Sequence, residues 1–301
     1  MFQRPNSDLT EELRSYFNRL NPRSRFSAME DVTIDRDHAG DQDLAANPVS
    51  STALTSDKKY FDTSASQTSL KILSWNIAKN NQSKDWSQDF LALIERYEPD
   101  KIFLQEVRLC AERECVPELS DMSWSFAPNF IDTFHNAYSG VLIATKANRI
   151  NSQSLVTNHT EPVTNTPKVS LFAEYSLCNR TETLLAVNTH LINFVELRKF
   201  TAQLQAVEAA LWQHSGAIVF SGDFNTWNRA PQKRIFDFTT RSGLTPVSFT
   251  PEDTQKIKNF LTSPPLDYIF YRGFEQKPHS ATVIDTITSS DHNPLLVELC
   301  Y

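Results

Sequence analysis

No surplus of basic residues marks this chain of 301 residues, whose net charge is -7. A non-specific nucleic-acid binder draws much of its affinity from lysine and arginine contacts to phosphates. Binding of DNA through bulk charge is therefore not favoured, although a local basic patch is compatible with this charge. Cysteine is scarce as well: Cys110, Cys115, Cys178 and Cys300 are the four. So few in a chain this long do not make a disulfide framework. The Cys110/Cys115 pair has no second Cys or His pair with which to complete a zinc site. No run of about 18 apolar residues occurs, so no transmembrane helix is expected. The N-terminus, MFQRPNSDLTEELRSYFNRL, lacks the apolar core of a secretory leader. A cytoplasmic location is the expectation, with leaderless export and peripheral membrane contact left open. Internal repeats are also missing, and nothing in the sequence addresses oligomeric state.

What is present is apolar and aromatic. Hydrophobic residues make up 40% and aromatic residues 11%, with 20 Phe, enough to build a sizeable core. The first 68 residues differ from the rest. Asp8 to Leu20 has Leu9, Leu13, Phe17 and Leu20 on one stripe, the pattern of a short amphipathic helix. Residues 21–68 are polar and rich in Ser and Thr, and read as a mostly unstructured linker. The expected organisation is a polar extension over 1–68 and one folded domain over 69–301.

From residue 70 onward, strands and helices alternate. Strands are expected at 70–77, 101–107, 139–145, 168–177, 183–191, 217–225, 266–272, 282–287 and 293–299. Helices are expected at 83–97, 196–214 and 235–241. In the second of these Leu197, Phe200, Leu204, Val207 and Leu211 keep helical spacing, and Gly216 marks the end. Many apolar strands with few helices predict an α/β (α+β) fold of two packed sheets with helices outside them.

Polar residues interrupt these strands near their C-terminal ends or just beyond them: Asn76, Glu106, Asn188 with His190, Asp223 with Asn225, Asp267, and Asp291 with His292. Singly, each has a plain structural explanation as a cap, an Asx turn or a hydrogen-bonded core histidine. Buried carboxylates are costly unless paired or metal-bound, so a whole set at strand ends predicts that they converge. The carboxylates and amides are hard oxygen donors suited to Mg²⁺ or Mn²⁺. The two histidines can exchange protons near neutral pH. Together they suit phosphoryl chemistry.

The same residues lie in SWNI (74–77), LQE (104–106), NTHL (188–191), SGDFN (221–225), LDYIF (266–270) and SDHNP (290–294). In this order and spacing the chain resembles the endonuclease/exonuclease/phosphatase superfamily over residues 70–301. The resemblance implies a four-layer α/β/β/α sandwich, DNase I-like, that hydrolyses a phosphoester with Mg²⁺. It implies that Asn76 and Glu106 hold the principal metal ion, with Asp291 a further polar or metal-facing residue. Asp223 and Asn225 would sit at the scissile phosphate, and Asp267 would orient His292. His190 would contact the phosphate or protonate the leaving group, and Asn188 with Asn225 would bind substrate. Whether Asp223 or His292 is the general base stays open. His190 stands where the abasic-site endonucleases carry other residues, which points away from that branch. NTHLINF, HSGAIVFSGDFNTWNR, LDYIFYRGF and SDHNPLLVEL are similar to the YafD-like bacterial branch, which implies no particular substrate.

Three functions compete. A nuclease or nucleotide phosphodiesterase comes first, with a basic groove drawn from Lys79, Lys84, Arg108, Arg198, Lys199, Arg229, Lys233 and Arg234. A phosphatase or phospholipase C-like enzyme on lipid, inositol or sugar phosphates comes second; it calls for exposed aromatics near the site, such as Phe194, Trp227 or Phe130. A non-catalytic binding module on the same fold is third.

Overall fold

A computed structural model describes residues 26–37, 69–110, 116–147, 149–162, 164–177, 180–260 and 263–301. The helix expected over 8–20 lies outside the described residues. Part of the expected linker does not read as expected: β1 (Phe26–Ala28) and β2 (Ile34–Arg36) each pair antiparallel with one long strand of the body. The polar run hides them because edge segments this short need only a few apolar contacts, here Met29 and Ile34.

The body begins with β3 (Ser69–Asn76). Helix α1 (Lys84–Tyr97) follows, its first turn capped by the Ser83 hydroxyl, which accepts from the Trp86 N–H at 3.1 Å. It stops at Glu98 in the left-handed region, just ahead of Pro99. Next come β4 (Lys101–Cys110), β5 (Ser123–Asp132), β6 (Ala137–Thr145), β7 (Arg149–Val156), β8 (Val169–Ser176) and β9 (Thr183–His190). Helix α2 (Leu197–Leu211) leads to β10 (Ala217–Asp223) and helix α3 (Arg229–Arg241). The rest is β11 (Thr245–Pro246), helix α4 (Pro251–Lys256), β12 (Asp267–Arg272), β13 (Glu275–Gln276), β14 (Thr282–Val283) and β15 (Leu295–Cys300).

Two sheets result. One runs β1-β5-β6-β4-β3-β15-β13, with β2 on β5 and β14 on β15; the other runs β11-β12-β10-β9-β8-β7. Ile72, Phe103 and Val141 of the first sheet meet Leu171, Ala186 and Val219 of the second in a largely apolar interior. Trp86, Phe90 and Leu93 of α1 cover the outer face of the first sheet around Trp75. On the second sheet's outer face, Phe200, Leu204 and Val207 of α2 and Phe238 of α3 pack on Ile218 and Phe220. The layers are therefore α/β/β/α, a DNase I-like fold.

Two strands escape the sequence pattern. β5 is buried along its whole length, so it shows no alternation, and Pro128 masks it by sitting next to a break in register with β6. β7 is a polar edge strand, largely half-buried, that lacks an apolar alternation. The strand expected over 282–287 shrinks to the two residues of β14. Helix α3 starts six residues before the expected 235, capped by the Asn228 side chain.

β3 and β4 run parallel, as do β9 and β10, so four C-terminal ends open on one end of the sandwich. β12 enters that end antiparallel to β10, with Asp267 opposite Asp223. The loop before β15 is fastened there too: the Ser290 hydroxyl donates to the Asn76 carbonyl (2.7 Å), and the Trp75 indole to the His292 carbonyl (2.8 Å).

Candidate active site

Asp223 is the meeting point. Its Oδ1 accepts the Asn225 N–H at 2.9 Å, and its Oδ2 accepts Nδ2 of Asn76, across the two sheets, at 2.9 Å. His190 Nε2 lies 3.5 Å and His292 Nε2 4.0 Å from the same Oδ2. The Asp223 register opposite both His190 and Asp267 explains how distant residues arrive together. Gly222 permits that packing, because a Cβ there would stand 1.9 Å from the Thr189 carbonyl oxygen. Asn225 is held in the left-handed region at φ 49°, its side-chain amide donating to the Leu191 carbonyl at 2.7 Å.

Asp267 and His292 form a dyad, with Oδ2 to Nδ1 at 2.8 Å. Burial opposes a charge on His292. The Asp267 carboxylate, its hydrogen bond, and Asp223 and Asp291 outweigh that and raise the imidazole to about 10. His190 goes the other way: burial, then the Lys168 ammonium, depress it well below the ordinary histidine value, against the pull of Glu106. At neutral pH one histidine is thus a cation and the other a neutral hydrogen-bonding ring. Burial pushes Asp223 up to about 7 against the attraction of His292.

Glu106 sits at a bulge, where the β4–β6 register shifts between Leu104 and Val107. Its backbone is left-handed, φ 56°. Such a bulge re-aims a side chain out of the strand's alternation, and here the carboxylate reaches His190 Nε2 at 4.0 Å and pairs with the Lys79 ammonium. Burial would raise its pKa, but Lys79, Lys168 and His190 hold it well below the usual carboxylate range.

Two expected residues lie apart from this centre. Asp291 is at the rim, its side chain 62% exposed and 3.2 Å from Lys258 Nζ. Asn188, expected to bind substrate, is instead sealed between the sheets. Its Nδ2 donates to the carbonyls of Leu104 (2.9 Å) and Leu142 (2.8 Å), and its Oδ1 accepts from Gln105 (2.7 Å). With both donors and the acceptor used and no exposure, the amide positions β9 against the first sheet rather than facing a ligand.

Lys168, by contrast, attracts no notice in the sequence. It is a buried lysine just before β8, 3.4 Å from Glu161 Oε1, and it lines a small cavity with Lys79, Glu106, Ser139 and His190. A lone Lys opening an apolar run, TPKVSLF, is the faint signal it leaves. Of the cations proposed for a groove, Arg108 is paired with Asp132 (3.6 Å) and Lys233 with Asp237 (2.9 Å). Arg198 and Lys199 belong to the first turn of α2, Arg229 to the first and Arg234 to the second turn of α3; these helices follow β9 and β10 at this end.

The donor set fits a hard divalent cation. Asp223, Asp267 and His292 offer atoms within 4.8 Å of one another, and Asp267 Oδ1 is buried with no hydrogen-bond partner. Since Nδ1 of His292 is already committed to Asp267, the oxygen-rich side toward Glu106 and Asn76 suits the cation better. There the Lys79 ammonium already sits on the Glu106 carboxylate as a counter-charge.

Residues 73–292 match the Endonuclease/Exonuclease/phosphatase family. A UPF0294 protein of Vibrio parahaemolyticus is 35% identical over 231 residues, 76% of this chain and 76% of its own length. An endonuclease/exonuclease/phosphatase family protein from Leptotrichia buccalis superposes with a TM-score of 0.58 at 18% identity, over 77% of this chain and 100% of its own. D. rerio TDP2 complexed with single strand DNA product superposes at 0.54 and 16%, over 78% of this chain and 100% of its own. This chain belongs to the endonuclease/exonuclease/phosphatase family.

Proposed function

We propose that this family member is a Mg²⁺-dependent phosphoric ester hydrolase that cleaves a phosphodiester bond, as a nuclease or nucleotide phosphodiesterase. The observation that carries the reading is the convergence on the buried Asp223 carboxylate of Asn76, His190, Asn225 and His292, from separate strand ends.

Asp223 takes the proton of the attacking water, favoured in this by a pKa near neutrality. His292, kept cationic by Asp267, faces the charge that builds on the phosphate. His190, neutral, donates a hydrogen bond to a phosphate oxygen, and Asn225 holds another. Asn76, Glu106 and, from the rim, Asp291 would hold the metal ion. When bound there, Mg²⁺ (or Mn²⁺) supplies charge neutralisation at the phosphate. Lys168 and Lys79 line the cavity beside His190 and add positive potential for an anionic substrate.

The proposed working unit is residues 69–301, with β1 and β2 paired to its β5; its longer motifs resemble the YafD-like branch, and the cytoplasm is its proposed location. Among the described residues no helix is long and apolar enough to cross a membrane. One neighbour of this fold is complexed with single strand DNA product, which supports testing nucleic acid first. The lipid or inositol phosphate reading has one observation in its favour, the exposed Phe194; Phe130, by contrast, is buried.

The test is hydrolysis by the full chain of bis(4-nitrophenyl) phosphate, single-stranded and plasmid DNA, and phospholipid head groups, with Mg²⁺ or with EDTA. Metal-dependent cleavage of the diester and of DNA is expected, abolished in Asp223→Ala. No metal-dependent hydrolysis of any substrate would sink the enzyme reading in favour of a binding module.

A further inference from the structure

Three loops at the site end carry neighbouring aromatic rings, two of them exposed and that of Trp227 half-buried. Phe194 follows β9 by four residues, Trp227 follows β10 by four, and Phe260 precedes β12 by seven. Phe194 is 61% exposed and Phe260 44%. Their ring centroids lie 6.3 Å apart, as do those of Phe194 and Trp227, and the rings are tilted by 40° and 37°. Exposing such rings forgoes burial that would stabilise the fold. Phe194 carries a second cost, a left-handed backbone at φ 52° in a residue without glycine's freedom. The loop is nonetheless fixed: the Phe194 N–H donates to its neighbour's Asn193 Oδ1 (2.8 Å), and the Asn193 N–H to Glu161 (3.1 Å), which also pairs with Lys168.

The cluster is wired into the site. The Trp227 N–H donates to the Asn225 carbonyl at 2.9 Å, and Asn225 is tied through its amide to Leu191, three residues before Phe194. On the far side Lys258 Nζ stands 5.9 Å from the Phe260 ring and 3.2 Å from Asp291, the neighbour of His292. Tilted aromatic faces with a cation at their edge match a flat π-system that carries an adjoining negative charge. A membrane matches less well, because inserting Phe260 would carry the exposed Asp291 carboxylate toward lipid.

Building on the phosphodiesterase reading above, we propose that Phe194, Trp227 and Phe260 form a stacking platform for a nucleobase of the substrate, next to the scissile phosphate, with Lys258 beside the flanking phosphate. The platform makes the enzyme selective for diesters whose sugar carries a base, without choosing between bases.

The test compares kcat/KM of the full chain on two single-stranded oligomers of equal length, one with bases and one built of tetrahydrofuran abasic units. Stacking predicts a preference of about 5- to 150-fold for the base-bearing oligomer. That ratio should fall toward one in Phe194→Ala and in Phe194→Leu, the second keeping apolar bulk but not the π-face. Equal cleavage of both oligomers by the wild type overturns the platform and leaves the phosphodiesterase reading standing. A preference unchanged in both variants overturns the assignment of Phe194. Cleavage of neither oligomer overturns the underlying reading. Co-sedimentation of the wild type with phosphatidylcholine vesicles, lost in Phe194→Ala, with no base preference, would give the rings to a lipid surface instead.

Discussion

The two ends of the sandwich both bury charge, and they do it differently. At the end described above, acids, histidines and lysines lie within reach of one another. At the opposite end the amine of Lys101 starts β4 with only 2% exposure. Its Nζ donates to the Thr145 hydroxyl at 3.1 Å and lies 3.3 Å from the centre of the Tyr175 ring. Burial, only partly countered by Asp100, lowers that amine to about 7. The buried Lys101 amine lowers its cost by giving up its proton more readily. The clustered charges keep theirs apart instead, one histidine cationic and the other neutral, because each has a partner of opposite sign or a hydrogen bond. Burial alone is a structural expense; burial with partners sets proton affinities that chemistry can use.

The sharpest break in that contrast is Asp223→Ala. It should cost roughly 10³-fold or more in kcat, in line with removal of a central acid–base group, while thermal unfolding in the absence of metal moves little. A large loss of stability with residual activity would mean that Asp223 is structural, like Lys101. Next, Asp267→Asn removes the carboxylate that holds His292 at about 10. About 10²-fold of kcat should go, and the alkaline limb of the pH–rate profile should move to lower pH. An unshifted limb would separate that limb from His292. Lys168→Met removes one cation from a cluster that keeps others. It should raise KM about 10-fold with a smaller change in kcat, steepest at low ionic strength; an unchanged KM would leave Lys168 with a packing role.

The smallest effect belongs to the opposite end. The folded pKa of Lys101, about 7, lies below its ordinary 10.5, so between these values the unfolded chain binds more protons. Stability should therefore rise with pH across that window and be lost as pH falls through about 7. Lys101→Met should flatten this slope and raise the melting temperature by about 2–6 °C near pH 7 without changing kcat/KM. A destabilised variant would show that the Thr145 and Tyr175 contacts outweigh the burial cost.

How much of this is legible beforehand depends on range. Helix α2 is written in the spacing of Phe200, Leu204, Val207 and Leu211, all buried, and α1 in the stretch 83–97 that ends ahead of Pro99. β5 is not legible, since a strand buried on both faces lacks alternation and Pro128 speaks against it. At the site, the motifs name Asp223, Asp267 and His292, whose atoms do meet. They mislead at Asn188, because an amide spent on three interior partners looks in sequence like one aimed at a ligand. They pass over Lys168, whose importance lies wholly in what surrounds it.

The sequence by itself determines that apolar strands pack as two sheets with helices outside them, where nine strand segments and the three main helices lie, and which polar residues stand at strand ends, because these follow from local periodicity and side-chain type. Only the tertiary structure decides that Asn76 reaches Asp223 across 147 positions, that a bulge turns Glu106 toward His190, and that two histidines of the same type hold protons so differently. Those outcomes depend on through-space distance and on loss of water, and neither is a property of any segment read alone.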